Sequence, residues 1–93
     1  MSRSGAWTGN DGMSLRRELA ATQKFQCIYC RGPLTMKGTG VTRATLDHRV
    51  PLARGGSNGR ENLVVCCQRC NNKKGSLTDL EFVELVRRGR HGF

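Results

Sequence analysis

Two short cysteine motifs frame this sequence: residues 27–30 are Cys-Ile-Tyr-Cys and residues 67–70 are Cys-Gln-Arg-Cys. In an ordinary zinc ribbon, roughly 15–20 residues separate two such pairs. Here residues 31–66 lie between them, about twice that spacing, and they include the dipeptide Asp47-His48. We therefore expect the cysteines to form a structural metal site and the intervening segment to carry the function.

The paired cysteines predict a tetrahedral zinc site, because two Cys-x-x-Cys turns supply the four thiolates that Zn²⁺ prefers. A shell of four sulfurs has no open position, so the site is expected to be structural rather than catalytic. Cys66 breaks the two-residue spacing to Cys70 and is interpreted as a small buried hydrophobe. Exchange between Cys66 and Cys67 as a ligand is the alternative. The predicted structural zinc ligands are Cys27, Cys30, Cys67 and Cys70.

Length and cysteine count favour a metal over disulfides. The 93 residues suit one domain, and small domains commonly need a metal or disulfides for stability. No signal peptide or membrane-spanning stretch is seen, which predicts a cytoplasmic protein, where disulfides are rare. The five cysteines are also an odd number. Disulfide or redox chemistry and free structural thiols are the alternatives to zinc.

The charge is strongly basic, with 16 Lys and Arg residues against 7 Asp and Glu and a net charge of +9. Such an excess predicts an anionic polymer as partner. No segment joins a basic face to a broad apolar face, so a membrane surface is not favoured. Solubility alone is the alternative explanation.

The N-terminal half predicts a tail, a helix and a hairpin. Residues 1–12 lack apolar periodicity and are predicted to form a flexible tail, which leaves residues 13–93 as a single domain. A helix capped by Ser14 is predicted from Leu15 to about Lys24. Extended backbone is favoured at 41–52 and 63–65, and the Gly-rich loop at 54–59 joins these strands into a hairpin.

Two helices are predicted in the C-terminal part. The first runs from Cys67 to Lys74 and ends at Gly75. The second begins at Thr78, where Thr-Asp-Leu-Glu is a capping-box sequence, and ends near Gly89. Its apolar stripe is predicted to contain Leu80, Val83 and Val86, with Phe82 and Leu85 beside it.

Polar residues at 47–49 and 69–74 have the composition of a phosphodiester-cleaving site. Such a site needs a base for the attacking water and positive charge for the phosphoryl oxygens. His48 can act as the general base. Asp47 and the Asn71 amide offer the oxygen ligands that a hard divalent cation prefers. The candidate DNA contacts are Arg49, Arg69, Lys73 and Lys74.

The spacing of these residues makes two geometric predictions. Asp47 and His48 point to opposite faces of a regular strand, so both serve one site only where the strand is twisted, bulged or ending. Pro51 and the Gly-rich loop favour such irregularity; a strand-end Asp beside a surface His is the alternative. Cys67, Cys70, Asn71 and Lys74 share one helix face, while Lys73 points aside, toward either phosphate or solvent.

In these residues the chain resembles the HNH endonuclease family, with its ββα-metal (His-Me finger) fold. The matching segments lie within residues 27–75, about half of the chain, and read Leu-Asp-His-Arg-Val-Pro-Leu at 46–52, Gly-Gly at 55–56, Glu-Asn-Leu at 61–63 and Cys-Gln-Arg-Cys-Asn-Asn-Lys-Lys-Gly at 67–75. The resemblance implies a small α+β fold with a ββα core, a four-cysteine zinc knuckle pair and flanking helices.

The resemblance also implies roles for four catalytic residues. His48 matches the general base, Asp47 matches a metal ligand beside it, and Asn62 matches the asparagine that ties the loop together and orients the base. Asn71 stands where the family's last histidine lies, so the chain resembles an HNN variant. For that variant Mg²⁺ or Mn²⁺ is favoured over Zn²⁺ or Ni²⁺ at the catalytic site.

The implied function is that of a metal-dependent endonuclease that nicks or cuts double-stranded DNA with low intrinsic sequence specificity. The chain is similar to small phage or mobile-element proteins, which act in the host cytoplasm and work beside partners such as DNA-packaging machinery. The oligomeric state is left open.

Two other classes of function fit these residues less well than the nuclease. A non-catalytic, zinc-stabilised DNA-binding module would be better served by Lys or Arg at Asp47, His48 and Asn71. A protein-interaction zinc finger is disfavoured by the charge of +9.

Overall fold

The computed structural model describes residues 9–89. Its order of elements is a helix, a two-stranded sheet and two further helices. They are α1 (Gly9–Thr22), β1 (Ala44–His48), β2 (Leu63–Cys67), α2 (Gln68–Lys74) and α3 (Asp79–Arg87). Short 3₁₀ helices at Leu52–Arg54 and Arg60–Asn62 lie in the loop between the strands. The predicted small α+β fold with a ββα core is confirmed.

The hairpin is antiparallel, with Ala44 opposite Cys67 and His48 opposite Leu63. The prediction of a first strand over residues 41–52 was wrong at both ends. After His48 the chain leaves the sheet, because the Val50 N–H donates to the Asn62 side chain at 3.0 Å instead of to a strand. The second strand runs two residues beyond its predicted end and carries the chain directly into the second cysteine pair.

The core surrounds β2, whose residues are all buried. Four of the five cysteines are also buried within it, so thiols supply much of the interior of this small domain. The largest apolar side chain there is Phe82 of α3, which packs edge-to-face on Tyr29 with ring centroids 5.1 Å apart. The buried residues of this cluster are Ala20, Cys27, Leu34, Ala44, Val65, Cys66, Cys67, Cys70 and Phe82.

Helix α1 begins earlier than predicted. Residues 9–12, expected in the tail, are helical, and Ser14 lies inside the helix rather than at its N-cap. The helix ends at Thr22 because Lys24 and Phe25 adopt positive φ angles of 58° and 57°. Residues 1–8 of the predicted tail lie outside the described residues.

Helix α3 begins as predicted but buries a different face. The Thr78 hydroxyl accepts from the Glu81 N–H, and the Glu81 carboxylate accepts from the Thr78 N–H, which completes the capping box. The predicted apolar stripe was wrong at two of its three residues, because Leu80 is 77% exposed and Val83 is 45% exposed. Val86 packs against the core as predicted, and Phe82 beside the stripe is fully buried. Docking of Phe82 on Tyr29, rather than helical periodicity alone, sets the orientation of α3.

Within residues 9–89, the helices are all too short or too polar to cross a bilayer.

Candidate active site and metal centre

The four paired cysteines meet in one cluster. Their Sγ atoms all lie within 4.8 Å of one another, and the Cys30 and Cys67 sulfurs are 3.9 Å apart. A tetrahedral zinc ion with Zn–S bonds of about 2.3 Å places its sulfurs roughly 3.8 Å apart. The cluster can therefore hold a metal ion such as zinc.

Local backbone geometry favours the thiolate form of Cys27. The N–H groups of Tyr29, Cys30 and Cys67 donate to the Cys27 sulfur at 3.4–3.5 Å, as expected for a sulfur that carries negative charge. A hydrogen bond from the Cys70 thiol to the same sulfur lowers the pKa of Cys27 and raises the pKa of Cys70. Metal binding would replace the thiol protons of this cluster.

Cys66 lies outside the cluster. It is fully buried, its sulfur is 3.6 Å from the Thr45 hydroxyl, and burial raises the pKa of its thiol. Among the described residues the metal-binding group contains Cys67 and not Cys66. This arrangement agrees with the interpretation of Cys66 as a small hydrophobe rather than as an alternative ligand.

A cavity of about 260 Å³ opens where the hairpin meets α2. It brings together three of the four predicted catalytic residues, Asp47, His48 and Asn71. Asp47 and His48 line the same cavity because β1 ends at His48, which resolves the objection that neighbouring strand residues face opposite ways. The other lining residues are Leu46, Pro51, Leu52, Lys74 and Gly75.

The imidazole of His48 is held by an asparagine that the sequence analysis missed. Its Nε2 lies 2.6 Å from Oδ1 of Asn58. Because an amide oxygen only accepts hydrogen bonds, Nε2 carries the proton and Nδ1 carries the lone pair in the neutral ring. The Ser-Asn-Gly sequence around Asn58 indicated only a loop, so no local signal identified this contact.

Asn62 lies behind the cavity and ties its loop together. Its Oδ1 accepts from the Val50 N–H at 3.0 Å, while its Nδ2 donates to the carbonyls of Val50 and Ser57 at 3.0 and 2.7 Å. Its own carbonyl accepts from the Arg49 N–H at 2.8 Å. Asn62 thus fixes the backbone just after His48 and does not line the cavity with the other three residues.

Gly56 lies against this clamp, and we expect Gly56→Ala to loosen it. A Cβ atom there would lie 1.8 Å from the Val50 carbonyl oxygen and 3.0 Å from the Asn62 amide nitrogen. Relief of that overlap requires backbone movement, which we expect to cost about 1–3 kcal/mol or more in the free energy of unfolding. Urea denaturation of the metal-loaded protein measures this cost.

The matched control for Gly56→Ala is Gly38→Ala. Gly38 has a positive φ of 79°, but a Cβ there meets nothing within 4 Å. Alanine at Gly38 therefore carries the strain of a left-handed backbone, which Gly56→Ala does not, but none of the overlap. We expect Gly56→Ala to be the more destabilising of the two, and stability of Gly56→Ala close to that of the wild type would contradict the proposed overlap at the Asn62 clamp.

Asn71 presents its amide in a fixed orientation. Its Nδ2 donates to the Thr45 hydroxyl at 2.9 Å, and that hydroxyl donates to the Cys66 carbonyl at 2.9 Å. This chain of hydrogen bonds leaves Oδ1 as the atom with which Asn71 could ligate a cation. Because Asn71 directly follows Cys70, the cysteine cluster also fixes the helical turn that carries it.

Asp47 lies between two partners that the sequence analysis did not pair with it. The carboxylate is 8% exposed, and its Oδ2 accepts from the Tyr29 hydroxyl at 2.7 Å. The Lys74 ammonium is 3.4 Å from each carboxylate oxygen. Burial, followed by the neighbouring Asp47, raises the pKa of Tyr29, so the phenol donates its proton to this bond.

Lys74 was predicted to contact DNA, but its position corrects that prediction. The residue is only 2% exposed, and its ammonium donates to the His48 carbonyl at 3.0 Å in addition to contacting Asp47. A buried ammonium enclosed by protein oxygens does not have the exposure that a phosphate contact needs. Its contacts make Lys74 a part of the cavity wall.

The other predicted DNA contacts lie at the surface. Arg49 is about half exposed at the end of β1 and lies 3.7 Å from Asp79. Arg69 and Lys73 are exposed on α2, which also carries Asn71. Arg69 and Lys73 share α2 with two cavity residues, and Arg49 directly follows the cavity residue His48.

Comparison with known proteins gives two kinds of match. A family model described as HNH endonuclease matches residues 27–86, which include both cysteine pairs and all the cavity residues. The chain is 39% identical over 88 residues to the CRISPR-associated endonuclease Cas9 of Corynebacterium diphtheriae, covering 82% of this chain and 8% of that protein. It is 38% identical over 66 residues to the Cas9 of Actinomyces naeslundii, covering 70% of this chain and 6% of that protein. The chain thus spans less than a tenth of the length of these relatives.

Proposed function

This chain belongs to the HNH endonuclease family, and from that premise we propose that it is a metal-dependent endonuclease that hydrolyses phosphodiester bonds in double-stranded DNA. One observation carries the proposal: His48, Asp47 and Asn71 line the same cavity. They are one base and two oxygen donors, the groups that metal-assisted phosphodiester hydrolysis requires.

In the proposed mechanism His48 is the general base. Nδ1 accepts a proton from the attacking water, while the Nε2–H continues to donate to the Asn58 oxygen and keeps the ring in one orientation. The amide clamp of Asn62 holds the backbone of the same loop. Asn58 and Asn62 are therefore positioning residues in this mechanism, and neither needs to contact the substrate.

Asp47 and Asn71 would hold the divalent cation. One carboxylate and one carboxamide are hard oxygen donors, which suits Mg²⁺ or Mn²⁺ with water completing the shell. When bound, the cation neutralises charge on the phosphoryl oxygens and on the leaving oxygen. The Lys74 ammonium beside Asp47 adds positive charge to the same wall of the cavity.

We further propose that the four-cysteine cluster holds a structural zinc ion. The cluster joins the turn at residues 27–30 to the end of β2 and the first turn of α2. Because Asn71 follows Cys70 directly, the metal would fix the helix that supplies one of the two cation ligands. This role agrees with a site whose four sulfur ligands leave no position for substrate.

DNA binding is proposed to be mainly electrostatic. Arg49, Arg69 and Lys73 are exposed on the elements around the cavity, and the chain carries a net charge of +9. Phosphate contacts position a protein on DNA but carry no sequence information. Low intrinsic sequence specificity therefore follows from this arrangement.

Both relatives are named CRISPR-associated endonucleases, and this chain matches less than a tenth of each. We propose that strand cleavage is the part of such an activity that this chain can supply, whatever selects the target. The expected phage origin and packaging partners stay predictions.

The test is a plasmid-nicking assay. Zinc-loaded protein incubated with supercoiled plasmid and Mg²⁺ or Mn²⁺ is expected to produce open-circular DNA, and EDTA is expected to stop the reaction. Duplex binding should weaken with salt, with a slope of log affinity against log salt of roughly −3 for three phosphate contacts. Salt-sensitive binding without nicking would instead favour the non-catalytic DNA-binding module.

A further inference from the structure

We propose that Tyr29, held in place by the four-cysteine cluster, is a positioning residue that keeps the Asp47 carboxylate available to the catalytic cation. The inference deepens the proposed function and rests on it. It assigns a role to a residue between two cysteine ligands that neither the sequence motifs nor the family resemblance singled out. The role follows from the contacts on either side of Tyr29.

The backbone of Tyr29 is part of the cysteine turn. The residue lies between Cys27 and Cys30, and its N–H donates to the Cys27 sulfur at 3.4 Å. Its ring packs at 89° against Phe82, which is fully buried. With the main chain fixed by the cluster and the ring fixed by α3, the hydroxyl has little freedom to leave Asp47.

Two hydrogen-bond donors contact the Asp47 carboxylate, and the donor–acceptor distances show which contact is closer. The Tyr29 hydroxyl is 2.7 Å from Oδ2, an ordinary short hydrogen bond. The Lys74 ammonium is 3.4 Å from both oxygens, whereas charge-assisted N–H···O bonds are usually about 2.7–2.9 Å long. The closer contact of the carboxylate is therefore with Tyr29, while the Lys74 ammonium is also held by the His48 carbonyl at 3.0 Å.

Loss of the Tyr29 hydroxyl would remove this restraint. The carboxylate could then close the gap to Lys74 and form a direct ion pair in a buried setting. A divalent cation would have to displace the ammonium before it could bind Asp47, so its affinity would fall. Metal in the cysteine cluster therefore supports the catalytic site at Asp47 as well as at Asn71.

The first experiment is Mn²⁺ binding to zinc-loaded Tyr29→Phe, measured by calorimetry and by electron paramagnetic resonance of the free ion. The substitution keeps the ring and its packing on Phe82 and removes only the hydroxyl. We expect roughly tenfold weaker Mn²⁺ binding, unchanged zinc content and a similar melt. Nicking should show the same shift in half-saturating Mn²⁺, with a nearly unchanged rate at saturation.

The matched control is Thr42→Val, which removes a hydroxyl that lies 3.1 Å from the Thr35 hydroxyl, outside the cavity. It is expected to bind Mn²⁺ as the wild type does. If the wild type binds Mn²⁺ and Tyr29→Phe binds it equally well, the positioning role is overturned and the proposed function stands. A wild type that neither binds Mn²⁺ nor nicks DNA overturns both.

A double-mutant cycle separates this mechanism from a general loss of structure. In a Lys74→Met background the competing ammonium is absent, so Tyr29→Phe should weaken Mn²⁺ binding by less than about threefold. Melts of the zinc-loaded variants establish that each is folded. A tenfold effect that persists without Lys74 would overturn the proposed competition for Asp47.

Discussion

His48→Ala is expected to abolish detectable plasmid nicking while leaving duplex binding nearly unchanged. General-base catalysis contributes about 10²–10⁴-fold to the rate, and alanine has no group that can accept the proton of the attacking water. The imidazole contacts Asn58 within the protein, and the proposed phosphate contacts are Arg49, Arg69 and Lys73, which this substitution leaves in place. Parallel nicking and binding titrations at one Mn²⁺ concentration measure the two effects.

The sequence offers a matched control for this experiment in His91, since the chain contains two histidines. His91→Ala removes the same chemical group from a position outside residues 27–75, which carry the HNH motif. We expect it to nick at the wild-type rate. Normal nicking by His48→Ala, or equal losses in the two variants, would show that the base has been assigned to the wrong residue.

The meeting of the proposed catalytic residues at one cavity could be predicted because their chemistry is encoded locally. Asp47-His48 and Cys70-Asn71 are adjacent pairs: the first ends β1, and the second lies in the first turn of α2, directly after the cysteine ligand. The helix spacing also placed Lys74 correctly on the face toward the site. Residue type and spacing were therefore sufficient to identify the residues that meet at the cavity.

The contacts that hold those residues could not be predicted in the same way. Tyr29 and Asp47 are 18 positions apart, and their meeting depends on how the cysteine turn docks beside the hairpin. The burial of Lys74 depends equally on the carboxylate that faces it, since a lysine on that face could otherwise reach solvent. In α3, one aromatic contact outweighed the apolar stripe, because Phe82 has a partner in Tyr29 and Leu80 does not.

Cys70→Ser is expected to remove the cooperative folding transition of the domain. Apparent zinc-binding free energies in zinc-finger peptides are about 10–16 kcal/mol, as large as the whole stability of a typical domain, about 5–15 kcal/mol. Cys70 is fully buried, and its neighbours in the core include three other thiols and few large apolar side chains. Loss of one ligand would therefore weaken metal binding, and the small apolar core alone would not stabilise the folded domain.

The measurement is thermal denaturation by circular dichroism together with zinc content, and Cys66→Ala is the matched control. Cys66 is as buried as Cys70 but lies outside the four-sulfur cluster, so this variant should keep its zinc and a cooperative melt at a slightly lower temperature. A strong chelator should reproduce the Cys70→Ser result in the wild type.

An unchanged melt in Cys70→Ser would rule out a structural metal site. Loss of zinc in Cys66→Ala would instead make Cys66 the ligand in place of Cys67. Because Asn71 and Tyr29 both adjoin the cluster, a domain that folds only with its metal would also assemble its catalytic cavity only with that metal.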